Sequence, residues 1–198
     1  DRVIVHYSGH GATQPEGAVE EGASPEPGGR AQALLPKDAG RYDEATRTIR
    51  NAILDKELGR ALTRIRASGA RLFVVVDACH AGTVTRAGAG VPRSVAGAAL
   101  GVPEAAPAPP AAPARRASVK IEARGGDAKG AMVGFFAVDS WGEALERPLP
   151  ASEGGAKPHG LFTWHLVRAL EQGRARSYRD LARLVAADLS AAPGAPAP

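Results

Sequence analysis

Arg71-Leu-Phe-Val-Val-Val-Asp77 is an almost continuous apolar run that ends in an acidic residue. Such runs are typical of strands that are covered on both faces. The segment before it repeats leucine and isoleucine at helical spacing, with Asp55 placed to cap the start of a helix and Gly69 to end it. Upstream, Arg2-Val-Ile-Val-His-Tyr7 predicts another buried strand. The order strand, helix, strand predicts an α/β fold around a parallel sheet.

The carboxyl-terminal part repeats these signals. The run Ala131-Met-Val-Gly-Phe-Phe-Ala-Val138 predicts a third core strand. Residues 161–171 predict a mostly apolar helix that ends at Gly173. Ser177 with Asp180 forms a start similar to a capping box and predicts a final helix.

Two segments lack the large apolar residues that a core needs. Residues 12–29 mix proline, glutamate and glycine and predict a surface loop. Residues 87–129 are rich in proline, alanine and glycine and predict a mobile linker. The expected organisation is therefore a catalytic part over 1–86, the linker over 87–129, a smaller part over 130–190 and a tail over 191–198.

Composition narrows the class of protein. The chain has 198 residues, one cysteine and a net charge of +4, which fits one domain without disulfides and a cytoplasmic location. No apolar run approaches the roughly 20 residues that span a bilayer, so no membrane partner is expected. The arginines are scattered, so nucleic acid is not expected as a partner either. Because the chain opens directly in a predicted strand, we expect it to be part of a larger protein with further domains.

Chemistry-bearing residues follow two of the predicted strands. The first junction is Tyr7-Ser-Gly-His-Gly11 and the second is Asp77-Ala-Cys-His-Ala-Gly82. Catalytic groups in parallel sheets collect at the carboxyl ends of strands. An imidazole within reach of a thiol can take its proton and later protonate a leaving amine, so His10 and Cys79 are the candidate base and nucleophile. The amides of Gly11 and Cys79 are candidates for binding a developing oxyanion, which predicts acyl transfer.

These two motifs resemble the paired histidine and cysteine motifs of the caspase and metacaspase clan, the peptidases of C14 type, and most of all its bacterial metacaspase-like members, the orthocaspases. Three further segments resemble the same family: Leu34-Leu-Pro-Lys-Asp38, Leu54-Asp-Lys-Glu-Leu58 and His159-Gly-Leu-Phe-Thr163. The resemblance implies a cysteine-type endopeptidase that acts on proteins or peptides. It also implies a caspase-like three-layer α/β/α sandwich with a mostly parallel sheet, truncated here at both ends, in which 1–86 is the large-subunit part and 130–190 the small-subunit part.

The resemblance also implies a substrate pocket. By the family's pattern, Ser8 and Asp77 line the pocket for the residue that precedes the cut. A carboxylate in such a pocket pairs with a guanidinium or ammonium group, so we expect cleavage after arginine or lysine. The predicted linker contains a candidate site of this kind at Arg115 and Arg116, which raises the hypothesis of self-cleavage there.

Calcium is the cofactor to consider, because many metacaspases need it. Asp38 and Asp55 match the family's acidic ligands, but Lys56 and Arg86 stand where further acids would be expected. Too few hard oxygen ligands remain, so we expect no metal site and no required cofactor, although calcium is not excluded.

The sequence leaves several alternative roles open for these residues and for the chain. A lone cysteine is often a packed residue, and Asp77 could cap its loop. His6 and His165 are expected to be packed or hydrogen-bonded, and His80 either tunes the site or only follows the family pattern. A zinc site has candidate ligands in His6, His10, Cys79 and His80, although positions four apart on a strand lie roughly 13 Å from each other. The chain could also be a silent interaction module with the caspase fold, or another thiol hydrolase with the same dyad.

Overall fold

The apolar run at 71–77 forms the strand around which the fold is organised. The computed structural model describes residues 1–16, 29–79, 90–103, 120–124, 129–137, 144–150 and 156–192, with the backbone alone for 120–124. The strands are β1 (Arg2–Ser8), β2 (His10–Pro15), β3 (Arg30–Leu35), β4 (Tyr42–Asp43), β5 (Thr48–Ile49), β6 (Ile53–Leu54), β7 (Arg71–Asp77), β8 (Val91–Pro92), β9 (Lys120–Arg124), β10 (Met132–Phe136), β11 (Leu145–Leu149) and β12 (Lys157–Gly160). The α-helices are α1 (Asp55–Ala67), α2 (Leu161–Glu171) and α3 (Tyr178–Ala191).

The central sheet has the order β1-β7-β10-β9. Strands β1 and β10 both run parallel to β7, whereas β9 runs antiparallel to β10. The prediction of a mostly parallel sheet in an α/β fold is thus confirmed.

Side chains of β7 alternate between two apolar cores, as the two-residue period of a strand requires. Val74 and Val76 pack on the side of α1. Val75 packs on the other side, in a core to which α2 contributes Leu166 and α3 contributes Val185. Helices therefore cover both faces of the sheet, which is compatible with the layered sandwich that the sequence predicts.

Strand β1 differs from the prediction of a buried strand. Among the described residues it pairs with β7 alone, so it forms one edge of the sheet. Its Val3 and Val5 pack towards α1, while Ile4 on the opposite face is 73% exposed. His6 lies on that exposed face, so the expectation that His6 is packed was wrong.

The prediction of a surface loop was wrong for its first residues. Strand β2 pairs antiparallel with β3, and both Ala12 and Gln14 are buried. Gln14 can be buried because its side chain is satisfied: Oε1 accepts from the amide of Ile49 at 2.8 Å, and Nε2 donates to Thr48 Oγ1 at 3.2 Å. Residues 17–28 lie outside the described part of the chain.

The described parts of the predicted mobile linker, 87–129, contain secondary structure. Residues 90–103 contain β8 and a short 3₁₀-helix, and 120–124 form β9 of the central sheet. Val102 and Arg93 are buried, so this segment makes tertiary contacts although large apolar residues are rare in it. The division into large-subunit and small-subunit parts, and the tail, stay predictions.

Helix ends follow the sequence signals closely, with one correction. Ser177 Oγ accepts from the amide of Asp180 at 3.1 Å, as predicted for the start of α3. Asp55 is the first helical residue of α1 and not its cap; the amide of Leu54 donates to Glu57 Oε2 at 3.0 Å instead. The glycines predicted to end α1 and α2 have positive φ: Gly69 (82°) and Gly173 (63°).

Candidate active site

The described parts of the two predicted junctions, 7–11 and 77–79, lie side by side at one end of the sheet. Ser8 is the register partner of Asp77, because β1 and β7 are parallel neighbours. The amide of Gly9 donates to the carbonyl oxygen of Asp77 at 3.1 Å, so the strands stay paired as they leave the sheet. Beyond that point the backbones of Gly11 and Cys79 touch: a Cβ at Gly11 would lie 2.0 Å from the carbonyl oxygen of Cys79. The fold therefore brings the two predicted motifs together.

His10 is half-buried at the start of β2. Its Nδ1 is buried and has no hydrogen-bond partner within the described ranges. Buried polar atoms are almost always paired, so an exception in a native fold needs an explanation, and a catalytic role is one. This nitrogen has a lone pair or a proton to offer to a reacting group.

The backbone of His10 is held by Tyr7. The hydroxyl of Tyr7 lies 2.7 Å from the carbonyl oxygen of His10 and 2.9 Å from that of Leu35, and it accepts from the amide of Leu35 at 3.0 Å. Burial raises the pKa of Tyr7, and this outweighs the opposite effects of the Leu35 hydrogen bond and the charge of Arg93. The hydroxyl therefore keeps its proton and remains a donor at neutral pH.

Cys79 follows β7 and is fully buried, outside any disulfide. Its Sγ lies 2.6 Å from the amide nitrogen of Ala144 and 3.0 Å from the carbonyl oxygen of the same residue. The thiol can donate to that carbonyl oxygen and accept from the amide, so the two contacts together fix the position of the sulfur. Ala144 is therefore a part of the site that no sequence motif marks.

The amides of Gly11 and Cys79 converge on a single oxygen atom. Both donate to the carbonyl oxygen of Arg93, at 3.0 Å and 3.1 Å. Two backbone N–H groups aimed at one carbonyl oxygen, beside the candidate nucleophile, match the arrangement that stabilises an oxyanion in acyl transfer. Here the chain's own peptide carbonyl lies in that position.

The side chain of Arg93 fills a pocket beside these amides. Its Nη2 donates to Ser8 Oγ at 3.0 Å and its Nη1 to Glu146 Oε2 at 2.8 Å. Its Nε donates to the carbonyl oxygens of Gly9 and Asp77, both at 3.2 Å, and lies 3.7 Å from Asp77 Oδ1. Arg93 is 4% exposed, so the two carboxylates neutralise a guanidinium that is almost removed from water.

Asp77 is itself held by the start of α2. Its Oδ2 accepts from the amide of Thr163 at 3.0 Å and from Thr163 Oγ1 at 2.7 Å. A carboxylate at the first turn of a helix is favoured by the unpaired N–H groups there. A Cβ at Gly160 would lie 2.2 Å from Asp77 Oδ2 and 3.0 Å from Arg93 Cζ, so only glycine leaves room for this contact. Asp77 thus both caps a helix and faces the pocket.

Some predicted residues lie apart from this site or outside the description. His80, Arg86, Arg115 and Arg116 fall outside the described residues. His165 is half-buried on α2, with Nδ1 3.9 Å from Asp188 Oδ2. Burial lowers the pKa of His165, with further lowering by Arg168 and Arg147, and this outweighs the opposite effect of Asp188. A packing role fits this position.

The two candidate calcium ligands each accept a hydrogen bond from the chain itself. Asp38 Oδ2 accepts from Asn51 Nδ2 at 3.2 Å, and Asp55 Oδ1 accepts from the amide of Lys56 at 2.9 Å. Over the described ranges, no three or more histidine, cysteine, aspartate or glutamate side chains are grouped to hold a metal ion. The independence from calcium stays a prediction. No helix in the described residues is long and apolar enough to cross a membrane.

Sequence reasoning missed three residues of the site: Arg93, Ala144 and Glu146. Arg93 looks like an ordinary charged residue in a segment that is poor in apolar side chains. The only available signal was indirect, since an acidic pocket predicts a basic partner. The contacts of Ala144 are made by its backbone, which no residue pattern encodes.

Comparison with known proteins gives a family match that includes both junctions. A family model described as the metacaspase, peptidase C14 domain matches residues 1–87, which include His10 and Cys79. Metacaspase-3 of Arabidopsis thaliana is 34% identical over 84 residues, which is 42% of this chain and 20% of that protein. Metacaspase-2 of the same plant is 32% identical over 84 residues, 42% of this chain and 17% of that protein.

The matches are partial. The chain spans about a fifth of the length of these curated relatives, and no solved structure matches it. The predicted closeness to bacterial members stays a prediction. These sequence matches nevertheless support a relation between this chain and the caspase-like C14 peptidases.

Proposed function

We propose that this chain carries the catalytic part of a cysteine endopeptidase with a caspase-like sandwich fold, which cuts protein or peptide substrates after arginine or lysine. The observation that carries the proposal is the position of Arg93. Its carbonyl oxygen accepts from the amides of Gly11 and Cys79, while its guanidinium contacts Ser8 and Glu146 and lies near Asp77. This is how a substrate arginine would lie if it preceded the bond to be cut.

The proposed chemistry needs only two side chains, two backbone amides and water. Cys79 attacks the substrate carbonyl carbon, His10 takes the thiol proton, and the two amides bind the oxyanion. His10 then protonates the leaving amine, and a thioester remains. Water, deprotonated by His10, hydrolyses the thioester and restores the thiol. No cofactor is required by these steps.

The charges of the pocket favour basic residues. Asp77 is fully buried and Glu146 has a side chain that is 28% exposed. A guanidinium or ammonium group offsets part of the negative charge of this pair, whereas a substrate aspartate would add a third negative charge. Like charges juxtaposed at an interface cost several kcal/mol, so acidic substrates are rejected.

Cleavage of fluorogenic peptides that end in Arg, Lys or Asp tests the proposal. We expect the full-length protein to cleave the arginine and lysine peptides and to leave the aspartate peptide intact. Cys79→Ala is expected to lower the rate to background, because no other described group is placed as nucleophile. Equal rates with calcium and with a chelator are expected. Cleavage after aspartate would contradict the assignment of Ser8 and Asp77 to a pocket for basic residues. If none of the three peptides is cleaved, the interaction-module alternative is favoured.

Tyr7→Phe tests whether the backbone of His10 is positioned by the hydroxyl of Tyr7. The substitution leaves the amide and carbonyl of Leu35 and the carbonyl of His10 without this partner, at a cost of about 1–3 kcal/mol. This cost lowers the stability of the fold, so we expect a lower melting temperature. Because the backbone of His10 also loses its anchor while the pocket residues are untouched, we expect kcat to fall about tenfold, which corresponds to about 1.4 kcal/mol in the barrier, and KM to stay unchanged. A parallel rise in KM would indicate instead that the substitution also disturbs the substrate pocket.

A further inference from the structure

Arg93 belongs to an extended segment, residues 90–95, that lies between β11 and Gly11. The space that this segment occupies is called the cleft below. Strand β8 pairs antiparallel with β11, with Val91 opposite Glu146 and Pro92 opposite Leu145. The pairing continues at Arg93, whose amide donates to the carbonyl oxygen of Ala144 at 2.9 Å. Addition of an extended peptide to a sheet edge is a common way in which a protein binds a peptide.

The other side of the Arg93–Ser94 bond is held as well. Ser94 forms a parallel β-bridge with Gly11, and the amide of Val95 donates to the carbonyl oxygen of Gly11 at 2.9 Å. Main-chain contacts therefore flank the bond on both sides. The carbonyl between them accepts from the amides of Gly11 and Cys79.

The geometry points to residues 90–95 as an internal substrate: they occupy the cleft of the uncut chain, and the protein processes itself at the Arg93–Ser94 bond. This inference rests on the proposed function. It places the cut at Arg93 because the carbonyl oxygen of this residue accepts from the two amides. Cleavage at Arg115 or Arg116, which lie outside the described residues, stays a separate prediction. Until the bond is cut, the segment excludes other substrates.

In the proposed self-cleavage, each bond that breaks is matched by a bond that forms. The thiolate of Cys79 bonds to the carbonyl carbon of Arg93, and the C–N bond to Ser94 breaks after His10 protonates that nitrogen. Water then hydrolyses the thioester, which leaves a carboxylate on Arg93 and an amino group on Ser94. The cut separates Arg93 from the contacts of Ser94 and Val95 with Gly11, so only the contacts of Arg93 itself and the short pairing of β8 with β11 still hold it, and other substrates can exchange with it.

Amino-terminal sequencing of the fragments of the full-length protein is the direct test. We expect a new amino terminus at Ser94, formed with a rate constant that does not depend on protein concentration. It should be absent in Cys79→Ala and in Arg93→Gln. It should persist when Arg115 and Arg116 are both changed to Gln, and in Arg179→Gln, which alters an exposed arginine of α3.

A second readout separates occupation of the cleft from folding. Arg93→Gln lacks the guanidinium that fills the pocket, so we expect it to cleave arginine peptides from the first minute, whereas the wild-type protein shows a lag that ends with the cut. Ser94→Pro makes the target bond a tertiary amide whose ring crowds the leaving nitrogen, but it keeps Arg93 in place. We expect this variant to remain uncut and to cleave arginine peptides slowly.

The outcomes distinguish the two proposals. If Arg93→Gln cleaves arginine peptides but the wild-type protein shows no terminus at Ser94, the self-processing inference is wrong and the proposed function stands. If Arg93→Gln melts well below the wild-type temperature and is inactive, while the wild-type protein cleaves peptides without a cut at Ser94, Arg93 is a structural ion-pair partner. If wild type and variant both fail on peptides and remain uncut, both proposals fall.

Discussion

Asp77→Asn is expected to lower kcat/KM for arginine peptides by about 30- to 4,000-fold, because removal of one member of a buried charge pair costs about 2–5 kcal/mol, at 1.4 kcal/mol per factor of ten. The carboxylate is fully buried and lies 3.7 Å from the guanidinium nitrogen in the occupied pocket. Asparagine keeps the shape and an oxygen for Thr163 but loses the charge. Steady-state kinetics with arginine and norleucine peptides measures the effect, which should be confined to the basic peptide.

Glu146→Gln provides the matched comparison. The side chain of Glu146 is 28% exposed, so water screens its charge and the expected loss is about tenfold or less. A larger loss for Glu146→Gln than for Asp77→Asn would contradict the assignment of Asp77 as the main specificity residue. An unchanged kcat/KM in Asp77→Asn would remove the pocket assignment altogether.

Gly11→Ala is expected to lower kcat by about 10²- to 10³-fold, the usual effect of losing one oxyanion donor. The added Cβ would lie 2.0 Å from the carbonyl oxygen of Cys79 and 3.2 Å from that of Ala33. Both are backbone atoms that cannot rotate away, so the amide of Gly11 must move from its place beside Cys79. Single-turnover kinetics of peptide cleavage measures the chemical step.

Gly59→Ala is the control for this substitution. Gly59 lies in α1 with nothing within 4 Å of its added Cβ, and alanine in a helix is more favourable than glycine by about 1 kcal/mol. We expect a small rise in melting temperature and unchanged kinetics. A Gly11→Ala variant that keeps wild-type kcat would show that its amide does not bind the oxyanion.

The sequence predicts the middle of the fold well and its periphery poorly. Strand β7 and helix α2 lie where they are expected, because an apolar run and terminal glycines are local signals. Strand β2 was missed, since Ala12 and Gln14 carry no apolar periodicity and are buried through contacts with residues distant in sequence. Strand β1 looks fully buried in sequence, but its exposure depends on which neighbours it has, and a residue pattern does not specify that.

The candidate site also has a part that the sequence predicts and a part that it does not. The positions of His10 and Cys79 follow from motifs at strand ends, and the sheet register brings those ends together. Arg93 could not be predicted, because its burial depends on acceptors that come from three separate segments, near Ser8, Asp77 and Glu146. A charged residue among prolines and alanines is usually solvated, and only long-range pairing overrides that expectation.

Because β10 lies beside β7, the two pieces made by a cut after residue 93 would remain associated until the protein is denatured. Strands β1 and β7 precede that bond, while β10, α2 and α3 follow it. The two pieces share one hydrogen-bonded sheet, and Val75 from the first piece packs with Phe135 and Leu166 from the second. The nicked protein would thus elute as one particle in a native column and separate into two bands only after denaturation. Its working form would be a two-chain enzyme made from one gene product.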